Sequence, residues 1–154
     1  MIKKEAEEKL EVIQVIRNLR KRLGSFDVLS NHEKSLVLKS LNSYEDDIKF
    51  EFAVNNNLKK QYGDMGLFDD VEEIHVPYEE DTPTYPEFSV LSDLESYETN
   101  LSVISNLVSN LDQLNLSENE NMVLTNSMKR YQNFLSRQIA QSEQLEDLYS
   151  NRKK

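Results

Sequence analysis

The chain has no cysteine and no tryptophan, and only three glycines and three prolines among its 154 residues. Without cysteine it can form neither a disulfide nor a thiolate metal site, which fits a reducing compartment. Few glycines and prolines indicate few tight turns and long uninterrupted elements. The first ten residues hold no apolar signal-peptide core, and no apolar run reaches membrane-spanning length. We therefore expect a soluble, cytoplasmic protein without a membrane segment.

The most informative absence is that of positive charge, because no Lys or Arg occurs between Gln61 and Met128. The same stretch holds fifteen carboxylates, whereas residues 1–60 carry twelve basic and ten acidic groups. The formal net charge of −10 therefore arises in the middle of the chain. A field of one sign repels nucleic acid and attracts basic surfaces, so the pattern predicts a protein partner with a basic surface.

Apolar residues recur at alternating steps of three and four along four segments, which predicts four amphipathic helices. Their expected core positions are Ile13, Ile16, Leu19 and Leu23; Val37, Leu41, Tyr44, Ile48 and Phe52; Leu94, Tyr97, Leu101, Ile104, Val108 and Leu111; and Leu124, Met128, Tyr131, Leu135, Gln138, Ser142, Leu145 and Tyr149. Serine and glutamate at capping-box spacing predict where the second, third and fourth helices begin. These pairs are Ser30–Glu33, Ser92–Glu95 and Ser117–Glu120.

The first and last parts of the chain resemble one another at an offset of 87 or 88 residues. Segment 15–19 (VIRNL) returns as 103–107 (VISNL), and segment 29–33 (LSNHE) returns as 116–120 (LSENE). The matched positions are the apolar stripe and the caps, which define local structure. We interpret the match as two copies of one helical hairpin, although amphipathic helices also resemble one another by composition alone.

The expected fold is all-α: two tandem antiparallel helical hairpins, related as a pseudo-repeat, pack as a four-helix bundle. We expect a single domain with hairpin one at 1–62, an acidic crossover loop at 63–91, hairpin two at 92–150 and a basic tail at 151–154. Because the apolar stripes are narrow, an extended arrangement or a homodimer of two hairpins from each chain stays open.

The crossover differs in composition from the helices. It holds all three prolines and little helical periodicity, so we expect it to be non-helical, with a strand-like alternation at Ile74, Val76 and Tyr78. Its apolar side chains either staple it across the bundle or act with its carboxylates as a recognition segment for a basic surface, and both can hold on different residues. The candidate partner-binding residues of the second interpretation are Asp69, Asp70, Glu72, Glu73, Tyr78, Glu79, Glu80, Asp81, Tyr85 and Glu87.

No catalytic, cofactor or metal site is predicted. A di-iron bundle needs two Glu-x-x-His pairs on helices, and this chain offers only Glu72-x-x-His75, close to a proline in the crossover. The other histidine, His32, lies near a helix start with no matching glutamate, and no glycine-rich phosphate loop exists. We therefore do not expect an enzyme.

The nearest approach to a nucleic-acid-binding stripe is a basic group on the first helix, formed by Arg17, Arg20, Lys21 and Arg22. These residues alternate with apolar positions and are partly offset by glutamates upstream. That arrangement is typical of a solvated helix face, so we expect no direct contact with nucleic acid.

Two classes of function follow from these features. The first is a non-catalytic acidic protein that binds a basic protein surface, such as a phage or mobile-element inhibitor whose carboxylates mimic the phosphates of DNA. The alternative is a structural or adaptor bundle that self-associates or chaperones another helical protein. In that case Gln138 and Ser142, polar residues within an apolar stripe, would set the register.

Overall fold

The computed structural model describes residues 3–66, 73–79, 82–93 and 95–152, and within these ranges it is all-α, with no β-strand. The helices are α1 (Lys3–Arg22), α2 (Asn31–Tyr62), α3 (Pro86–Asp93), α4 (Tyr97–Ser109) and α5 (Glu118–Arg152). Short 3₁₀ turns follow α1, α2 and α4, at Leu23–Ser25, Gly63–Met65 and Leu111–Leu114. The predicted all-helical class is confirmed.

Reciprocal capping boxes begin α2 and α5, as the sequence predicts. Ser30 Oγ accepts from the Glu33 amide at 3.1 Å, and Glu33 Oε1 accepts from the Ser30 amide at 2.8 Å. At α5, Ser117 Oγ accepts from the Glu120 amide at 3.2 Å, and Glu120 Oε1 accepts from the Ser117 amide at 3.1 Å. Each box satisfies two backbone donors that would otherwise be orphaned, so both starts are determined locally.

The prediction that a helix begins after Ser92 is wrong. Ser92 lies inside α3, and α4 begins after Ser96, whose Oγ accepts from the Thr99 amide at 3.2 Å. The expectation that residues 63–91 are non-helical is wrong for its last part, because α3 begins at Pro86. Proline suits the first helical position, where its missing N–H would have had no intrahelical partner.

One hydrophobic core joins the long helices. Helix α1 packs against α2 and α5, α4 packs against α5 and α2, and α3 packs against α2. The largest fully buried side chains are Phe52, Ile13, Ile16, Leu19, Leu23, Leu36, Leu41, Ile104, Leu124, Met128, Leu135 and Val37. Most of them are expected core positions, which shows that the three-four periodicity identifies the buried faces.

The predicted stripe of α5 is buried only along its first half. Leu124, Met128 and Leu135 are fully buried, whereas Leu145 and Tyr149 are 67% and 63% exposed. Two of the three helices that pack against α5 are much shorter than its 35 residues: α1 has 20 and α4 has 13, whereas α2 has 32. Neither α1 nor α4 can therefore cover α5 along its whole length.

No helix in the described part of the chain combines the length and the apolar character that crossing a lipid bilayer requires.

The described part of the crossover lies against α1 and α2. The side-chain amide of Asn56 accepts from the Ile74 N–H and donates to the Ile74 carbonyl, both at 2.8 Å. Ile74 and Phe88 are buried and Val76 packs against the core, but Tyr78 is 87% exposed. The expected strand does not form in this segment, which is held instead by side-chain hydrogen bonds to its backbone.

Candidate functional site

Half of the predicted partner-binding residues can be placed in the structure. Asp69, Asp70, Glu72, Glu80 and Asp81 lie outside the described residues. The other five divide into two groups: Glu73, Tyr78 and Glu87 are exposed, whereas Glu79 and Tyr85 are partly buried. The described crossover therefore divides into side chains that face solvent and side chains that pack within the molecule.

Tyr85 holds the end of the crossover against α1. Its hydroxyl donates to the Arg20 carbonyl at 2.9 Å, and its ring stacks on Phe88 with the centroids 5.0 Å apart. The side chain is thus engaged inside the molecule, as the stapling interpretation requires.

Glu79 belongs to a group of four charged side chains that we call the buried ion cluster: Arg17, Arg20, Glu45 and Glu79. Arg20 donates from Nη2 to Glu79 Oε2 and lies 2.9 Å from Glu45 Oε2 through Nη1. Arg17 Nε lies 3.5 Å from Glu45 Oε1 and 3.6 Å from Glu79 Oε2. The cluster thus links α1, α2 and the crossover through paired charges.

Backbone and amide groups complete the surroundings of the two arginines. Arg17 Nη1 donates to the Pro77 carbonyl at 2.6 Å, and Arg20 Nη1 donates to Asn42 Oδ1 at 2.7 Å. Both arginine residues are only 6% exposed. Charges buried to that degree persist only when they are paired and hydrogen-bonded, so the contacts are a condition of this packing.

The environment of Glu45 favours its ionised form. Burial alone would raise the pKa of this carboxyl, but the hydrogen bond from Lys49 and the charge of Arg20 outweigh burial and lower the pKa below its usual value. Lys49 Nζ lies 2.9 Å from Glu45 Oε1. Glu45 therefore stays a carboxylate although its side chain is only 3% exposed.

The expectation of a solvated basic face on the first helix is wrong for Arg17 and Arg20. Arg17 follows Ile13 by four residues and precedes Arg20 by three, so both arginines continue the apolar stripe of α1. Glu45 likewise stands between Leu41 and Ile48 on the buried face of α2. Charged residues at positions of the apolar stripe, on both α1 and α2, are therefore the sequence feature that predicts a buried ion cluster.

A cavity of about 480 Å³ adjoins the buried ion cluster. Its walls come from α1, α2 and the crossover, and its lining residues are Arg17, Arg20, Asn42, Glu45, Asp46, Lys49, Val76, Pro77, Tyr78, Glu79 and Thr82. Pockets that bind small molecules commonly measure about 300–1,000 Å³. The cavity therefore has the volume of a small-ligand site, with charged groups along its walls.

We call residues 61–128, which include no Lys or Arg, the base-free stretch. Some of its carboxylates pair with basic groups of α1 and α2. Glu120 pairs with Arg22, and Asp93 pairs with Lys39. The charge asymmetry between the two parts of the chain thus has a use within the fold. Exposed pairs of this kind stabilise a protein by about 0–1 kcal/mol, so their contribution is small.

Other carboxylates of the same stretch face solvent. They are exposed and form no ion pair with a described residue: Glu87, Glu95, Glu98, Asp112 and Glu118.

A carboxylate of this stretch also affects the ionisation of a nearby tyrosine. Burial, together with the charge of Asp93 and the nearby Tyr97, raises the pKa of Tyr131.

Three exposed carboxylates line a shallow depression between the start of α4 and the second half of α5, which we call the acidic groove. It measures about 270 Å³ and is lined by Ser96, Tyr97, Glu98, Ile139, Ser142, Glu143 and Glu146. No basic side chain of the described residues lines it, and Tyr97 and Ile139 supply apolar surface. Its chemistry suits a partner that presents Lys or Arg side chains beside apolar groups.

Within the described ranges, no group of three or more His, Asp or Glu side chains is placed to hold a metal ion. His75 lies 3.7 Å from Glu73 through Nε2 and is 83% exposed.

Comparison of the chain with protein-family models, with curated proteins and with solved structures finds no significant match in any of the three.

Proposed function

We propose that this chain is a non-catalytic helical protein that binds a basic protein surface and occludes a nucleic-acid-binding site on it. Its exposed carboxylates stand in for the phosphates of the nucleic acid. Inhibitors of this kind are encoded by phages and mobile elements, and we propose such an origin for the chain.

The observation that carries the proposal is the set of exposed carboxylates that pair with no described basic residue, in a stretch of 68 residues that has no Lys or Arg. A folded protein gains little from such a set, because like charges repel one another across the surface. A basic partner relieves that repulsion on binding and is drawn in by long-range attraction, which gives fast association and a strong dependence on salt.

The acidic groove is where we place the centre of the contact. Glu98 comes from α4, whereas Glu143 and Glu146 come from α5, so the three charges are held by two helices that pack together. Helices hold charged groups at fixed spacing, which favours recognition of a patterned surface. Tyr97, about half exposed, adds an aromatic contact of the type enriched at binding hot spots.

The test is competition between this protein and DNA. Immobilised protein is exposed to a host-cell lysate in low salt, and retained proteins are eluted with a DNA duplex or by raising the salt to about 0.5 M, where charges are screened within a few ångströms. We expect DNA-binding proteins to be retained and then released by both treatments. Retained proteins that neither DNA nor salt releases would contradict the proposal.

A matched pair of triple variants localises the contact. Glu98→Gln, Glu143→Gln and Glu146→Gln together neutralise the groove. Glu7→Gln, Glu8→Gln and Glu11→Gln together remove the same charge from exposed positions of α1. We expect the first variant to lose retention of the partner and the second to keep it. Equal retention by the two variants would show that net charge, and not the groove, binds the partner.

A second candidate function, self-association or adaptor binding, is favoured by apolar residues left exposed on the two longest helices. Phe50 of α2 is 70% exposed, and Leu145 and Leu148 of α5 are 67% and 58% exposed. Light scattering tests this function directly. A dimer that becomes a monomer when Leu145→Ser and Leu148→Ser are combined would support self-association, and a strictly monomeric native protein would count against self-association as the function.

We also propose that α1–α2 and α4–α5 are copies of one hairpin within a four-helix bundle. Matched positions have matched burial: Ile16 and Ile104 are both fully buried, and Tyr44 and Tyr131 both pack partly buried against the core. Each copy also has a 3₁₀ turn and then a capping box between its helices. An experimental structure in which the two hairpins fail to superpose at these positions would reject the repeat.

A further inference from the structure

We propose that the cavity beside the buried ion cluster is a binding site for an oxyanion, either a carboxylate or a phosphate group, and that Glu79, in the cavity wall, is an internal carboxylate ligand of the two arginines there. This site is separate from the acidic groove, and its existence does not depend on the proposed function.

The donors of the site are buried and incompletely used. Arg17 and Arg20 are each 6% exposed, and the Nε atoms of both have no hydrogen-bond partner among the described residues. Both residues line the cavity. A guanidinium presents its donors in a planar fork that matches the oxygens of a carboxylate or a phosphate, so two adjacent arginines form a natural oxyanion receptor.

The acceptor side of the cluster is also incomplete. Glu79 Oε2 accepts the bond from Arg20, but Glu79 Oε1 is buried without a hydrogen-bond donor in the described part of the chain. A buried carboxylate oxygen without a donor loses its hydration and gains nothing in return. Glu79 is therefore an imperfect ligand for the two arginines, and a free oxyanion can orient itself to use more of their donors.

Among the described residues that line the cavity, the charges are balanced only because Glu79 is present. Arg17, Arg20 and Lys49 are positive, whereas Glu45, Asp46 and Glu79 are negative. Withdrawal of Glu79 leaves three cations against two carboxylates, with the excess charge close to Arg17 and Arg20. A bound anion restores the balance in a place where unpaired charge is costly.

Only one of the two cluster carboxylates is placed to leave. Glu45 is in the middle of α2 and is also tied to Lys49, so its backbone position is fixed by the helix. Glu79 lies in a non-helical segment whose backbone is held by other contacts. Arg17 donates to the Pro77 carbonyl, and Thr82 Oγ1 donates to the Glu79 carbonyl at 3.5 Å. The Glu79 side chain can therefore be exchanged without unfolding a helix.

The test measures binding of inorganic phosphate and of acetate by calorimetry, at constant ionic strength, to the native protein and to Glu79→Ala. Removal of the internal ligand leaves the arginines unoccupied, so we expect both anions to bind Glu79→Ala at least about tenfold more tightly than they bind the native protein. Circular dichroism checks that the variant stays helical. Glu79→Gln, which keeps the side-chain volume but removes the charge, is measured in parallel in case the alanine variant does not fold.

Glu73→Ala is the matched control, because it removes a carboxylate from the same segment where the side chain is 52% exposed and does not line the cavity. This control should bind both anions as the native protein does. Adding Arg17→Met to the Glu79 variant should abolish the gain in affinity.

Tighter binding of phosphate alone would assign the site to a phosphate group, and tighter binding of acetate alone would assign it to a carboxylate. If neither Glu79 variant binds either anion more tightly than Glu73→Ala does, the site does not exist and the cluster only holds the crossover in place.

Discussion

The buried ion cluster and the acidic groove each contain one carboxylate of the base-free stretch, and the two are used in opposite ways. Glu79 has a side chain that is only 10% exposed and lies between two arginines, whereas Glu98 is exposed in a groove that no described basic residue lines. A buried carboxylate must find its partner within the fold, while an exposed one remains available to another molecule. Position in the tertiary structure, and not residue type, therefore separates the structural role of Glu79 from the binding role that we propose for Glu98.

Removal of Arg20 tests the structural role of the buried ion cluster, and we expect it to have the largest effect on stability. Arg20→Ala leaves Glu45 and Glu79 buried with much of their compensation gone, so we expect the free energy of unfolding to fall by about 3–5 kcal/mol. Urea denaturation at neutral pH measures it. Arg22→Ala is the control, because Arg22 is 45% exposed in its pair with Glu120. That control should lose less than about 1 kcal/mol, and equal losses would contradict the burial assigned to Arg20.

Neutralising one carboxylate in each region tests the two roles directly. Glu79→Gln weakens a buried bond to a charged donor, so we expect the free energy of unfolding to fall by about 1–3 kcal/mol. Glu98→Gln should change it by no more than about 0.5 kcal/mol, as is usual for an exposed site without special contacts. Both values come from the same denaturation experiment. A larger loss for Glu98→Gln than for Glu79→Gln would reverse our assignment of structural and binding roles.

The pH dependence of stability tests whether the folded protein holds Glu45 in its ionised form. The folded-state pKa of this carboxyl lies below its usual value of 4.5, so the folded state favours the ionised form. Its contribution to stability is complete above the unfolded-state pKa and is lost as the pH falls through the lower folded-state pKa. The difference in unfolding free energy between native protein and Glu45→Gln should therefore shrink as the pH falls from about 5 to about 3. A difference independent of pH would show that Glu45 is not held ionised by its partners.

The smallest effect on stability is expected in the acidic groove. The combined variant Glu98→Gln, Glu143→Gln and Glu146→Gln should unfold within about 0.5 kcal/mol of the native protein, because its substituted side chains are exposed. Its stability should also depend less on salt, since salt screens the mutual repulsion of these carboxylates in the native protein. Thermal unfolding over a series of salt concentrations measures both quantities. A marked loss of stability would mean that the groove is part of the packing.

The helices with strong local signals could be predicted from the sequence. Ser30 and Ser117 begin α2 and α5 because each serine has its glutamate three residues later and a strong apolar stripe beyond it. The start of α4 is predicted wrongly because two serines in this segment, Ser92 and Ser96, can each cap a helix. Ser92 is taken into α3, which packs on α2 through Phe88 beneath Lys34, and this leaves Ser96 as the cap. A distant contact thus decides between two caps that are both acceptable locally.

By itself, the sequence determined the all-helical class, most of the buried faces and two of the helix starts, because periodicity and capping act over a few residues. It also determined that the negative charge is confined to the middle of the chain. The tertiary structure alone decided which carboxylates are engaged. Arg20 and Glu79 are 59 residues apart in the chain, so only the path of the crossover over α1 brings them together. The same packing leaves Glu98 exposed between α4 and α5, in a groove that no basic side chain of the described residues lines.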